Sequence, residues 1–251
     1  MAPADLILDR RGFLALPLIA TLGVQVTPVH ARRMAHSYSS VKDFEGCPKR
    51  YNEVRIVKRF KNRDTDATLY GTAVHKAFEE HVRDKAPLPE QFAQFKPFVE
   101  PLANMAGDIR CEEKLGVRRD FSPCAFFDKD VWIRGIPDYL AINHDKRVAR
   151  VADYKTGKSS RYADMAQLEL MAAMVMAHHA NVDTVKTALL FVVAKDVIKA
   201  EFTRAQLPEI WSKWAGRIGA VEKAIEVNVW NPRPSALCRF CPVTDCSNHP
   251  G

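Results

Sequence analysis

Apolar residues recur along this chain with two different periods, and the places where the period changes mark its elements. Val41, Phe44 and Tyr51 share one side of a first predicted helix, with Ser39 and Ser40 as its cap. Gly71-Thr72 opens a second, in which Val74, Ala77, Phe78 and Val82 recur at helical spacing. Pro87, Pro89 and Pro97 break the next stretch into short pieces. From about Cys111 the pattern turns to strand. Residues 131–136 and 139–142 read as strand, residues 143–146 as a turn, and residues 147–154 alternate in part, so the two runs predict a β-hairpin. A helix over 162–179, strands over 184–194 and 198–202, and an amphipathic helix over 206–227 complete the series. This order predicts an α/β domain: a mixed central β-sheet flanked by helices.

Composition adds little to the fold and something to the partner. With 251 residues and 47% hydrophobic content the chain can bury one sizeable core. Its net charge of +7 favours a phosphate-bearing partner, since Lys and Arg that neutralise phosphates release condensed counterions. No stretch is long and apolar enough for a membrane span. Arg10-Arg11-Gly12-Phe13-Leu14, followed by a moderately apolar run and Val29-His30-Ala31, resembles a twin-arginine export signal. The competing reading is a loose tail, or a start at Met34, and a cytoplasmic protein. Residues 1–33 are therefore set outside the domain, which spans residues 34–251.

Asp138 and Asp153 both stand in apolar strand contexts, where a carboxylate is costly unless paired, hydrogen-bonded or metal-bound. Asp153 and Lys155 are two apart and so share a face of a strand. Two carboxylates and an amine at one point suit phosphodiester hydrolysis with Mg²⁺ or Mn²⁺. A surface ion pair between Asp153 and Lys155, with Asp138 in a turn after Pro137, is the plainer alternative.

Gly135-Ile136-Pro137-Asp138, with Asp153-Tyr154-Lys155-Thr156-Gly157-Lys158, resembles the paired motifs of RecB-like PD-(D/E)XK nucleases. The likeness extends over roughly residues 37–246. It implies a restriction-endonuclease-like core and a DNA nuclease, exonuclease-like in action. Asp138, Asp153 and Lys155 would be catalytic, and His75 of Gly71-Thr72-Ala73-Val74-His75 a further metal ligand. Glu79 would support that histidine from one turn on. The Tyr154 backbone carbonyl would touch the metal, and Gln167 would lie near the substrate. Glu113 resembles a recurring strand glutamate of the family. The partners implied are DNA, as single strands or ends, and a helicase or recombinase. No G-x-x-x-x-G-K-[ST] phosphate loop is present in the chain to drive a motor.

Six cysteines remain, of which Cys238, Cys241 and Cys246 form C-x2-C-x4-C near the C-terminus. Thiolates separated by two intervening residues bind one metal centre from a tight turn more readily than they form a disulfide. With Cys47, in Gly46-Cys47-Pro48-Lys49-Arg50-Tyr51, they resemble the [4Fe–4S] staple of AddB-type and CRISPR-adaptation nucleases. The final gap is four residues where five is common, and His249 is a substitute ligand. Zn²⁺ is the rival occupant. Cys111 and Cys124 are read as ordinary thiols.

Overall fold

The computed structural model describes residues 34–250, so the expectations for residues 1–33 fall outside the described residues. The first helix, α1 (Tyr38–Gly46), is capped by Ser37 rather than Ser39 or Ser40. Ser37 Oγ accepts from the Ser40 amide at 3.2 Å, and Ser40 Oγ accepts from the Ser37 amide at 2.8 Å. A capping box needs its two side chains three positions apart, and Ser37 with Ser40 meets that spacing. A one-turn helix, α2 (Pro48–Tyr51), follows directly, with Cys47 as its N-cap.

The next helix, α3 (Asp66–Asp84), begins before Gly71, with a second box formed by Thr65 and Thr68. Gly71 therefore lies inside the helix. A Cβ there would stand 3.2 Å from Thr156 Oγ1, so the glycine marks a close approach between helix and strand end rather than a start. Helix α4 (Lys96–Ala103) accommodates Pro97 in its first turn, where no amide donor is needed.

Among the described residues, eight strands form two sheets. The larger has the order β1 (Asp108–Cys111), β5 (Tyr139–Asn143), β6 (Val148–Lys155), β7 (Thr184–Phe191), β8 (Asp196–Thr203). It is mixed: β6 and β7 run parallel, and the other pairs are antiparallel. The smaller joins β3 (Pro123–Cys124), β2 (Leu115–Val117) and β4 (Ile133–Gly135). The hairpin expected around residues 143–146 is present as β5 and β6. Residues 133–135, however, belong to the smaller sheet, so the chain changes sheets across Ile136-Pro137-Asp138. Proline supplies no amide to a ladder, which lets one run end there and another begin.

Parallel strands require a crossover, and α5 (Ala166–His178) provides it between β6 and β7. This helix is apolar all round because it is covered on every side: Leu170, Met174 and Val175 join a core with Val151, Val185 and Trp214. Trp214 comes from α6 (Leu207–Val227). The opposite face of the large sheet packs on α3 and α4 through Tyr139, Ala152, Tyr154, Phe78 and Val99. Phe78 meets the Tyr154 ring edge-on at 4.9 Å. That contact fixes α3 against the central strand, and with it the position of His75 one turn earlier. Phe78 is fully buried. Phe78→Ala is expected to lower unfolding stability by about 3–5 kcal/mol in urea melts, by transfer and cavity effects together.

Candidate metal centre and active site

At the end of β6 a buried carboxylate, Asp153, meets Asp138, His75 and Lys155. Extending the β5–β6 ladder one step past Tyr139↔Ala152 sets Asp138 opposite Asp153. Asp138 Oδ2 accepts the Tyr154 amide at 2.7 Å, and its Oδ1 stands 3.3 Å from His75 Nδ1. The other ring nitrogen of His75 is 3.0 Å from the Tyr154 carbonyl oxygen. His75 thus faces an acceptor on each side. Burial opposes its imidazolium, yet the hydrogen bond and charge of Asp138, with Asp153 beyond, outweigh it and raise the pKa.

Asp153 is buried at 8% exposure. Its Oδ1 accepts from Gln167 Nε2, and Gln167 Oε1 accepts from Lys155 Nζ at 2.9 Å. Lys155 Nζ also stands 2.5 Å from Asp153 Oδ2, outside hydrogen-bonding geometry, so this oxygen has a charge contact and no hydrogen bond. Burial, reinforced by the charge of Asp138, pushes the Asp153 carboxyl up to about 6.

A third carboxylate joins them. Ligand atoms of His75, Glu112 and Asp138 all lie within 4.8 Å of one another. Burial, then repulsion from Asp138, raises the Glu112 pKa as well. Such crowding is relieved by a divalent cation. The donors are carboxylate oxygens and one imidazole, a hard set of the type that takes Mg²⁺ or Mn²⁺. The clustered donors of His75, Glu112 and Asp138 fit such an ion.

The sequence profile of the PD-(D/E)XK nuclease superfamily matches residues 35–246. The chain belongs to the PD-(D/E)XK nuclease superfamily. Its members are nucleases that use divalent metals, and His75, Glu112 and Asp138 form a candidate metal site here. Among solved structures, a candidate exonuclease from Eubacterium rectale is similar in fold at 15% identity, with a TM-score of 0.51, over 93% of this chain and 92% of that one. The protein SSO0001 is matched at 12% identity and a TM-score of 0.40, over 86% of this chain and 87% of that one. No curated protein matches the sequence.

Within this PD-(D/E)XK chain, the residues singled out by sequence divide. His75, Asp138, Asp153, Tyr154, Lys155 and Gln167 converge. Glu79 does not support His75; it forms an ion pair with Arg83 one turn along α3. Glu113 is likewise drawn away, to Arg110 at 2.8 Å. The neighbouring Glu112 takes its place, because the backbone after β1 turns left-handed there (φ 54°). Alternation along a strand could not reveal this. The signal lay in register: Cys111 pairs with Tyr139, so the next residue comes opposite Asp138.

The four staple cysteines line one pocket, together with Arg50, Arg233 and His249. Cys47 Sγ accepts amides from Arg50 at 3.5 Å and Arg233 at 3.4 Å, and Cys238 Sγ accepts the Ser235 amide at 3.4 Å. All six cysteines are free. Burial pushes the Cys111 thiol up to about 11, away from the thiolate form.

Because the folded protein holds the Asp153 proton more tightly than the unfolded chain, the fold is favoured in acid. That preference is lost as pH rises from about 4 through about 6. His75, also raised, acts in the same direction. In EDTA, Asp153→Asn is therefore expected to stabilise the protein at pH 8 by up to about 3 kcal/mol and to change it little at pH 4. Thermal melts at the two pH values check this. Added Mg²⁺ or Mn²⁺ should raise the melting temperature of the wild type and not of the variant.

Proposed function

We propose that the chain is a Mg²⁺- or Mn²⁺-dependent deoxyribonuclease, exonuclease-like in action, working on DNA single strands or ends in the cytoplasm. The observation that carries this reading is the convergence of His75, Glu112, Asp138 and the Tyr154 carbonyl beside Asp153 and Lys155. The E. rectale relative in fold is itself described as a candidate exonuclease, which agrees with it.

Asp138, Asp153, Glu112, His75 and the Tyr154 carbonyl would hold the cation. When bound, that ion polarises the phosphoryl group and lowers the pKa of water. Lys155 orients the attacking water and stabilises the developing negative charge. Gln167 positions both Asp153 and Lys155 through its two hydrogen bonds, and its amide orients the carboxylate while its carbonyl aims the amine. The Asp138 carboxylate is held in one orientation by the Tyr154 amide.

The cysteine pocket is read as the seat of a [4Fe–4S] cluster. Amides directed at the sulfurs suit bound thiolates. Zn²⁺ is the alternative occupant of such a thiolate set. A cluster here would tie the segment before α2 to the C-terminal turn and close most of the domain. Service beside a helicase or recombinase in repair, recombination or phage DNA metabolism is the fitting context.

Asp153→Ala and Lys155→Ala are expected to stay folded and to lose at least 100-fold in cleavage of end-labelled DNA, as roughly expected when a charge-stabilising group is removed. EDTA should abolish wild-type cleavage. Full activity in either variant defeats the assignment. Anaerobically purified protein should show a broad band at about 400 nm, and Cys47→Ala should remove the band and lower the melting temperature. A colourless protein containing zinc would overturn the cluster.

A further inference from the structure

None of the residues of the acidic cluster lies on the small sheet, whose strand β4 leads into Asp138. The turn that follows β3 carries an aromatic platform. Phe127 is 74% exposed, and its ring is packed edge-on against Phe126 at 5.0 Å. The Arg134 guanidinium lies over both rings, at 5.2 Å and 5.4 Å, and Lys114 Nζ stands 5.7 Å from the Phe127 centroid. Among the described residues, neither cation has a carboxylate within ion-pair distance. Arg134 Nε is buried without a hydrogen-bond partner. The turn that presents the rings is braced: the Asp128 carboxylate accepts from Arg118 at 2.7 Å and from the Asp130 amide at 2.8 Å.

Its place in the chain ties this platform to the acidic cluster. Lys114 follows Glu112 by two residues and Arg134 precedes Asp138 by four. Their Cα atoms therefore lie no more than about 7 Å and about 14 Å from those carboxylate residues. Stacked nucleotides rise about 3.4 Å each along a strand. A strand whose phosphate sits at the cluster thus reaches the platform within about four nucleotides.

We propose that Phe127, flanked by Lys114 and Arg134, is a base-stacking platform for an unpaired nucleic-acid strand, and that it gives this nuclease a preference for single strands. The inference rests on the nucleolytic reading above and names the substrate form. An exposed ring offers a π-face that any base can stack on, and the two unpaired cations match the adjoining phosphates. A duplex keeps its base faces inside its own stack and leaves nothing for Phe127 to cover. The charge pattern favours a polyanion over an apolar protein partner, since a protein surface would have to supply carboxylates for both cations.

The test measures binding in EDTA, so that it does not depend on cleavage. Fluorescein-labelled oligothymidylate and a duplex of the same length are titrated with wild type, Phe127→Ala, Phe127→Trp and Arg134→Gln. Phe127→Ala should weaken single-strand binding roughly 5- to 100-fold and leave duplex binding within about two-fold. Phe127→Trp should restore it, and Arg134→Gln should weaken it and flatten its salt dependence. Unchanged melting temperatures show that an exposed residue was removed without unfolding. Absence of single-strand binding by the wild type, unchanged affinity in Phe127→Ala, or equal losses on both substrates overturns the platform; an unchanged affinity would leave the patch to a protein partner. Failure of the nucleolytic reading registers separately, as no Mg²⁺- or Mn²⁺-dependent cleavage by the wild type, whatever the binding shows.

Discussion

A carboxylate held inside the protein at the end of its central strand sets the terms for everything around it. Asp153 is buried, faces Asp138 across the hairpin, and has one oxygen without a hydrogen bond. Desolvation and like-charge repulsion both resist its ionisation. Lys155 and Gln167 offset part of this, and His75 offsets part of the charge on Asp138. A divalent cation would complete the balance. Stability and function pull in opposite directions here: the groups that burden the metal-free fold are those that would hold the metal.

The topology supplies these groups from separate parts of the chain. Asp138 lies where the chain passes from the small sheet to the large one. Asp153 and Lys155 lie on the same strand, two residues apart. Gln167 arrives from the first turn of α5, which follows because parallel β6 and β7 need a crossover that returns over the same face. His75 comes from the opposite face, carried by α3, whose Phe78 is seated on the Tyr154 ring. Thus both cores of the domain meet at the site, and the packing on each side limits how far its ligands can move.

The cysteine pocket closes the domain at another point. Cys47 precedes α2 and the other three cysteines follow α6, so the pocket joins the two ends of the described chain. Arg217 paired with Glu45 and Arg233 hydrogen-bonded to the Glu45 carbonyl reinforce the same junction. A cofactor there would act on folding as much as on any chemistry, since it would remove the freedom of a loop that contains nearly every element.

The sequence by itself determined the α/β class, the hairpin over residues 139–155, the long helices and the Asp138–Asp153–Lys155 pattern. Each is a local or near-local regularity: helical spacing, strand alternation, or residues two apart on one strand. Tertiary structure decided what depends on register and on backbone turns. Glu112 rather than Glu113 joins the cluster because one residue after β1 adopts a left-handed conformation, and a one-residue shift on a strand reverses the face. Gly71 reads as a helix start in sequence because glycine punctuates; in the fold it is a point of contact with Thr156. Glu79 is at the right helical spacing to support His75, but Arg83 competes for it at equal spacing on the other side. The Phe127 platform joins residues from three separate stretches, so no single window of sequence contains it. Local periodicity is written in neighbouring residues, whereas register and convergence arise only when distant segments share one core.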